Sequence, residues 1–188
     1  MNCIELMVEE HKNIKRILAV VRKYCSRILN GDRVDYEDFF KIIDFVRNYA
    51  DRHHHGKEET MLFNKMTEEL GSTAEKLVRY GMNVEHDLGR LYIQELELSV
   101  KRVLDGDQDS KLDVIANAVS YTHLLHRHID KEDGVVFKYA QNNLSEDTLV
   151  KLDHECEEFE KKAKADAVHD KYLKLVEELE KKVSRVLV

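Results

Sequence analysis

The sequence contains no proline and no tryptophan, and only seven of its 188 residues are glycine. Without proline nothing removes a backbone N–H or crowds the preceding turn, so long helices can run uninterrupted. No stretch approaches the ~18 consecutive apolar residues of a membrane-spanning helix, so no membrane association is expected. The start, MNCIELMVEEHK, has no basic segment followed by an apolar run. No secretory signal is therefore expected, and the expected location is cytoplasmic. The three cysteines, Cys3, Cys25 and Cys156, are odd in number, far apart and form no C-x-x-C pair. They are expected to be reduced thiols. Positive charge is also short: 30 Lys and Arg face 37 Asp and Glu, for a formal net charge of −7. With no local basic patch, this surface repels nucleic acid.

What remains is ordinary for a globular domain, with 43% hydrophobic and 36% charged residues in a length that buries a real core. Turn residues fall at Asn30-Gly31-Asp32, Gly71-Ser72, Asp105-Gly106-Asp107 and Asn142-Asn143. Helix-start signals follow them: Asp35, Asp109 and Ser145 as N-caps, and Ser72-Thr-Ala-Glu75 as a capping box. The pattern predicts helices near 3–29, 35–70, 73–104, 110–141 and 146–186, the last dividing around 165–170. No segment alternates strictly between apolar and polar residues, so the expected class is all-α. Two units are expected, a helical bundle over 1–143 and a C-terminal helical extension over 144–188 packed on the same domain.

Ten histidines are present, eight of them before residue 130. At about 100° per residue, each of the first four helices carries one histidine within its apolar stripe. His11 lies among Met7, Ile14 and Leu18, with Leu29 at the end of the stripe. His54 lies between Ala50 and Met61, His86 between Met82 and Ile93, and His128 between Leu125 and Val135. Four buried imidazoles are costly unless each finds a partner, and a shared metal supplies all four at once.

The spacings repeat. His11 and His54 stand 43 residues apart, His86 and His128 stand 42 apart, and Glu10 and Glu85 precede the two lone histidines. His54–Phe63 and His128–Phe137 share the frame H-x-x-K-E-[ED]-x-x-x-F. Glu58 and Glu132 follow their histidines by four residues, one turn along the same helix face. The alternative registers, His55 with Glu59 and His126 with Asp130, point off the stripe. His53, His55, His123 and His126 are therefore expected at exposed or rim positions, and His154 and His169 are given no role.

Four imidazoles and two carboxylates exceed one tetrahedral zinc site. They suit two metal ions on His11, His54, Glu58, His86, His128 and Glu132, each ion taking two histidines and both glutamates. An oxo or hydroxo bridge completes five ligands and leaves one position open to oxygen, peroxide or nitric oxide. The imidazole share favours iron, and manganese or zinc also fits. The E-x-x-H signature of ferritin-like di-iron bundles is missing, since no histidine has a glutamate three residues before it.

A lone His, then H-x-x-x-E, then both again, resembles the hemerythrin-like (HHE) domain over about residues 3–141. The tail from Leu144 to Leu187 resembles the helical extension of many bacterial members. The resemblance implies an antiparallel up-down-up-down four-helix bundle with an oxo- and carboxylate-bridged di-iron centre. Oxygen-carrying hemerythrins have a second histidine one turn after the one on the third helix, where this chain has Arg90. They also use an H-x-x-x-x-D ending, where this chain has His128-x-x-x-Glu132. The site therefore resembles the bacterial iron-cluster repair and HHE branch more than the invertebrate oxygen carriers.

Four further residues are candidates around such a centre. Gly89 sits one turn from His86 and either leaves room for a diatomic or permits close helix packing. Tyr121 either contacts a bound oxidant or packs in the core. Glu10 and Glu85 either accept from a histidine N–H of another helix or face solvent. The functions that follow are binding or sensing of O2 or NO, reduction of O2 or H2O2 as an enzyme, with a redox partner, and iron donation to damaged iron–sulfur clusters. A helical bundle binding zinc adventitiously is the fourth.

Overall fold

The computed structural model describes residues 1–32, 34–165 and 167–184, and every regular element among them is helical. Eight α-helices follow in order: α1 (Cys3–Leu29), α2 (Glu37–Phe45), α3 (Phe63–Leu77), α4 (Asn83–Leu104), α5 (Lys111–Lys131), α6 (Phe137–Asn143), α7 (Glu146–Ala165) and α8 (Val168–Ser184). Segments Val46–His55, Glu58–Leu62, Val78–Met82 and Glu132–Val136 are π-helical and join them end to end. Four rods result: α1, then α2 to Leu70, then Ser72 to the end of α4, then α5 with α6. Leu187 and the end of the last predicted helix at 186 lie outside the described residues. None of the described helices is long and apolar enough to cross a membrane.

The rod ends follow from local chemistry. Asn2 and Glu5 form a capping box in which each side chain accepts from the other's backbone N–H, at 2.8 and 3.1 Å. Asp35 accepts from Glu37 N at 3.0 Å and Ser145 from Thr148 N at 3.3 Å, as the sequence predicts. Asp109 does not cap its helix. Asp107 accepts there instead, from Asp109 N at 3.2 Å and Ser110 Oγ at 2.7 Å. The Ser72–Glu75 box does not form either. Gly71 turns the chain at φ +67°, a conformation that costs glycine little, and Glu75 pairs with Arg79 at 3.4 Å. The first and third rods end in matching Schellman turns. Asp32 N bonds Arg27 O and Asp107 N bonds Arg102 O, both at 2.9 Å, with Gly31 and Gly106 at positive φ.

Contacts between neighbouring rods pair rising residue numbers with falling ones. Asn13 meets Tyr49 and Tyr24 meets Asp38. Asp51 meets Arg90 and Arg47 meets Glu97. His86 meets His128 and Arg102 meets Asp113. His11 meets Asp133 and Arg22 meets His123. Helices α7 and α8 pack outside the first two rods through Cys3 N to Asp153, Lys57 to Glu160, Arg16 to Glu180 and Tyr172 to Asp44. One apolar cluster, with Ile14, Phe39, Leu96 and Ala118, lies on one side of the histidines. A second, with Met7, Phe63, Met82 and Phe137, lies on the other. Cys3, Cys25 and Cys156 are buried free thiols.

The π-helical turns correct the predicted stripes. A π turn holds one residue more than an α turn, so the inward position afterwards arrives one residue late. Val135 was expected inside and is 57% exposed, while Val136 is fully buried. Likewise Leu62 is buried where Met61 was expected, and Met61 is only partly covered. Leu29 and Leu104 also point outward, because each is the last residue of its helix, where the neighbouring rods no longer cover it.

Candidate metal centre

Midway along the rods, between the two apolar clusters, His11, His54, Glu58, His86, His128 and Glu132 come together, none more than 2% exposed. Each of the four imidazoles is held from behind by a carboxylate. His54 Nδ1 donates to Glu10 at 2.8 Å and His128 Nδ1 to Glu85 at 2.9 Å. His11 Nδ1 donates to Asp133 at 2.7 Å and His86 Nδ1 to Glu59 at 2.6 Å. An ionised carboxylate can only accept, so Nδ1 carries the proton and Nε2 presents a lone pair to the centre. Such pairs fix the ring orientation and raise the basicity of the inner nitrogen.

The inner nitrogens fall into two sets. His11 and His54 place Nε2 atoms 2.8 Å apart, and His86 and His128 place theirs 2.9 Å apart. Glu58 spans both sets, with Oε1 at 3.4 Å from His54 Nε2 and Oε2 at 3.5 Å from His86 Nε2. Glu132 does the same, with Oε2 at 3.3 Å from His11 and Oε1 at 3.1 Å from His128. All four oxygens of these glutamates are buried without a hydrogen-bond donor. A carboxylate stripped of water and left without a donor is strongly unfavourable, so metal ions or protons have to offset these charges. Metal ions fit. Two nitrogens at about 2.1 Å from one ion, at right angles, are about 3 Å apart, close to the observed separations. His11, His54, Glu58 and Glu132 form one group geometrically able to hold an ion, and Glu58, His86 and His128 belong to a second.

The family model for the hemerythrin HHE cation binding domain matches residues 2–140. The chain belongs to this family. No curated protein and no solved structure matches it.

In this HHE chain every fixed position of the repeated frame has a task. The His faces the centre. The Lys ties down the acid behind that His, Lys57 on Glu10 and Lys131 on Glu85. The first Glu spans both nitrogen sets, and the next acid, Glu59 or Asp133, holds the lone His of the other half. The Phe covers that lone His: Phe137 stacks on His11 at 5.6 Å, and Phe63 on His86 at 6.0 Å. Glu10 and Glu85 therefore accept from histidines of a neighbouring rod. Glu59, Asp133, Lys57 and Lys131 carry functions the sequence reading did not assign, although the repeat already printed them side by side.

Two expectations are overturned. His53 and His55 are 3% and 6% exposed, so neither is a rim residue. His53 lies under α7, 2.9 Å from Glu10 and 3.3 Å from Glu160, because the C-terminal helices cover a face that four rods alone leave open. His55 lies parallel on His86, with ring centroids 3.8 Å apart. His123, His126, His154 and His169 are exposed.

A cavity of about 250 Å³ opens onto this side of the HHE centre, lined by Asp51, His55, His86, Gly89, Arg90 and Tyr121 among others. Burial pushes the Tyr121 phenol pKa far up, so it stays protonated. A Cβ on Gly89 would meet Leu125 and Tyr121 at 3.6 Å, ordinary van der Waals contact. Gly89→Ala is therefore expected to stabilise the protein by about 0.5–1 kcal/mol, the helix-propensity gain, measured by denaturant titration. A loss of stability would show that the position is closed rather than roomy.

Without ions, protons neutralise the centre. Burial would lower the His54 pKa, but the charges of Glu58 and Glu10 raise it to about 10. Burial likewise opposes His86, which Glu132 and Glu59 raise to about 9. Burial would raise Glu132, but His128 and its other imidazole neighbours hold it well below the usual 4.5. The raised histidines stabilise the ion-free protein fully below their ordinary 6.5 and cease to do so as pH rises through about 9 and 10. The depressed glutamate stabilises it above 4.5 and ceases to do so at acid pH. Melting of chelator-treated protein should therefore fall from about pH 6.5 upward, a fall the metal-loaded protein does not share because ions replace the protons. Parallel curves for the two forms would refute the competition.

Proposed function

We propose that this chain is an up-down-up-down four-helix bundle holding two non-haem iron ions on His11, His54, Glu58, His86, His128 and Glu132. It binds a small oxidant, O2, H2O2 or NO, at an open iron position. The observation that carries this reading is the pair of buried glutamates, each with one oxygen toward either nitrogen set and no donor on any oxygen. Two oxygens per carboxylate and two nitrogens per set match a bridged pair of ions. When bound, the irons supply electrons and a vacant coordination position.

The chain's residues do the rest. Glu10, Glu59, Glu85 and Asp133 keep each Nδ1 protonated and each Nε2 turned inward. Phe63 and Phe137 exclude water from the lone histidines. The cavity by Gly89 and Tyr121 has room for a molecule of two non-hydrogen atoms.

Metal analysis of the purified protein with an ultraviolet–visible spectrum tests the reading. About two irons per chain with near-ultraviolet charge-transfer bands are expected. The anaerobically reduced protein should then respond spectrally to O2, H2O2 or NO. One zinc per chain, or no metal, overturns it. Transfer of the iron to an apo iron–sulfur protein, with no response to any oxidant, would establish iron donation instead.

A further inference from the structure

We propose that Cys3 and Cys156 form a peroxide-reactive two-cysteine site, whose paired thiols are oxidised to a disulfide that fastens α7 to the start of α1. The proposal does not depend on the two-ion reading. Both thiols are buried in the same apolar cluster, at 2% and 3% exposure, and the Cys3 S–H donates to the Cys156 sulfur. Cys25, the third thiol, lies in the other apolar cluster, on the far side of the histidines.

The backbone holds the pair from both sides. Cys3 is the first residue of α1, fixed by the Asn2–Glu5 capping box, and its N–H donates to Asp153 at 2.7 Å. Asp153 stands one turn before Cys156 on the same face of α7. The start of one helix is thus pinned beside the turn of another that carries the second thiol.

The two sulfurs are chemically unequal. The hydrogen bond from Cys3 lowers the Cys156 pKa, burial opposes this, and the Lys57 ammonium assists. The same hydrogen bond and burial raise Cys3, so it keeps its proton. Cys156 is therefore the attacking sulfur and Cys3 the resolving one. The Cys156 thiolate attacks one oxygen of H2O2, the O–O bond breaks, and hydroxide leaves as water once protonated; a sulfenic acid remains. The Cys3 sulfur then attacks that sulfur, gives up its proton, and expels a second water as the S–S bond forms. Two thiols lose two electrons and two protons, and one peroxide becomes two waters. A cavity of about 410 Å³ lies one turn along both helices, lined by Leu6, Glu157 and Glu160 among others, and gives peroxide its approach. Helix α7 also carries Glu160, which holds Lys57 behind Glu10 and His54. The bond therefore staples the helix that shelters this acid.

The test uses the full chain, metal-loaded and chelator-treated in parallel, with H2O2 in modest excess. Thiol titration in denaturant should fall from three free thiols per chain to one in both preparations. Peptide mapping should show a Cys3–Cys156 bond, and dithiothreitol should restore all three thiols. Cys25→Ser should form the same bond. In Cys3→Ser the attacking sulfur has no resolving partner, so Cys156 should accumulate as a sulfenic acid trapped by dimedone. Three thiols surviving peroxide, a disulfide that includes Cys25 or a second chain, or loss confined to the metal-loaded protein overturns the proposal. A folded Cys3→Ser without dimedone label overturns it as well. Should that variant fail to fold, the parent and Cys25→Ser still decide. Failure of the two-ion reading is seen separately, in the iron content.

Discussion

Lys57→Ala is expected to destabilise the protein by about 3–5 kcal/mol, the cost of leaving a buried charge without its partner. Lys57 is completely buried and donates to both Glu10 and Glu160, with His53 at 3.2 Å. Burial alone would lower its pKa, but those two carboxylates hold it above the ordinary lysine value. Without the ammonium, Glu10 keeps only imidazole partners while 1% exposed. Lys131 occupies the same place in the second half of the repeat but is 48% exposed. Lys131→Ala is accordingly expected to cost less than about 1 kcal/mol. Denaturant unfolding of the two variants compares them directly. Equal losses would show that burial does not set the value of this ion pair. Lys57→Met combined with Glu10→Gln removes both charges together and should recover much of the loss.

Glu58→Ala is expected to reduce bound metal from about two ions per chain to about one or none, since one carboxylate faces both nitrogen sets. The melting gap between loaded and ion-free protein should collapse with it. An ion present at 100 times its dissociation constant contributes about 2.7 kcal/mol, and that term vanishes when the ion does not bind. Glu59→Ala is the matched control one residue along. Glu59 touches His86 and Arg90 but neither nitrogen set from inside, so its loss should weaken metal affinity about 10–100-fold and leave the two-ion stoichiometry intact. Metal analysis after gel filtration reads both variants. Full loading of Glu58→Ala would sink the bridging role.

Much of this was legible in the sequence because two independent regularities coincide there. The α-helical period placed His11, His54, His86 and His128 on apolar stripes, and the internal repeat attached Glu58 and Glu132 to them at one turn. Helix positions were readable because Gly31, Gly71 and Gly106 stop the rods where the sequence breaks. What escaped was whatever departs from an ideal four-rod picture. The period of 3.6 fails across π-helical turns, so Val135 and Val136 exchange places. The burial of His53 and Lys57 depends on α7, whose packing face no local pattern announces. His55 escaped because phase alone assigns one inward face to a helix, whereas this rod has neighbours on three sides: α1, the third rod and α7. Glu59 and Asp133 were visible in the repeated frame all along. A carboxylate beside a carboxylate reads as solvated surface until the imidazole opposite it is known.

The shelter that α7 gives to Lys57, Glu10 and His53 has no counterpart at Lys131 and Glu85, where the chain meets solvent. The duplicated halves are thus alike in chemistry and unlike in access. One is shielded by an added helix, and the other has solvent in its place. The cavity of about 250 Å³ opens beside His55 and His86, so a small molecule entering by that route meets the pair His86 and His128 before it meets His11 and His54.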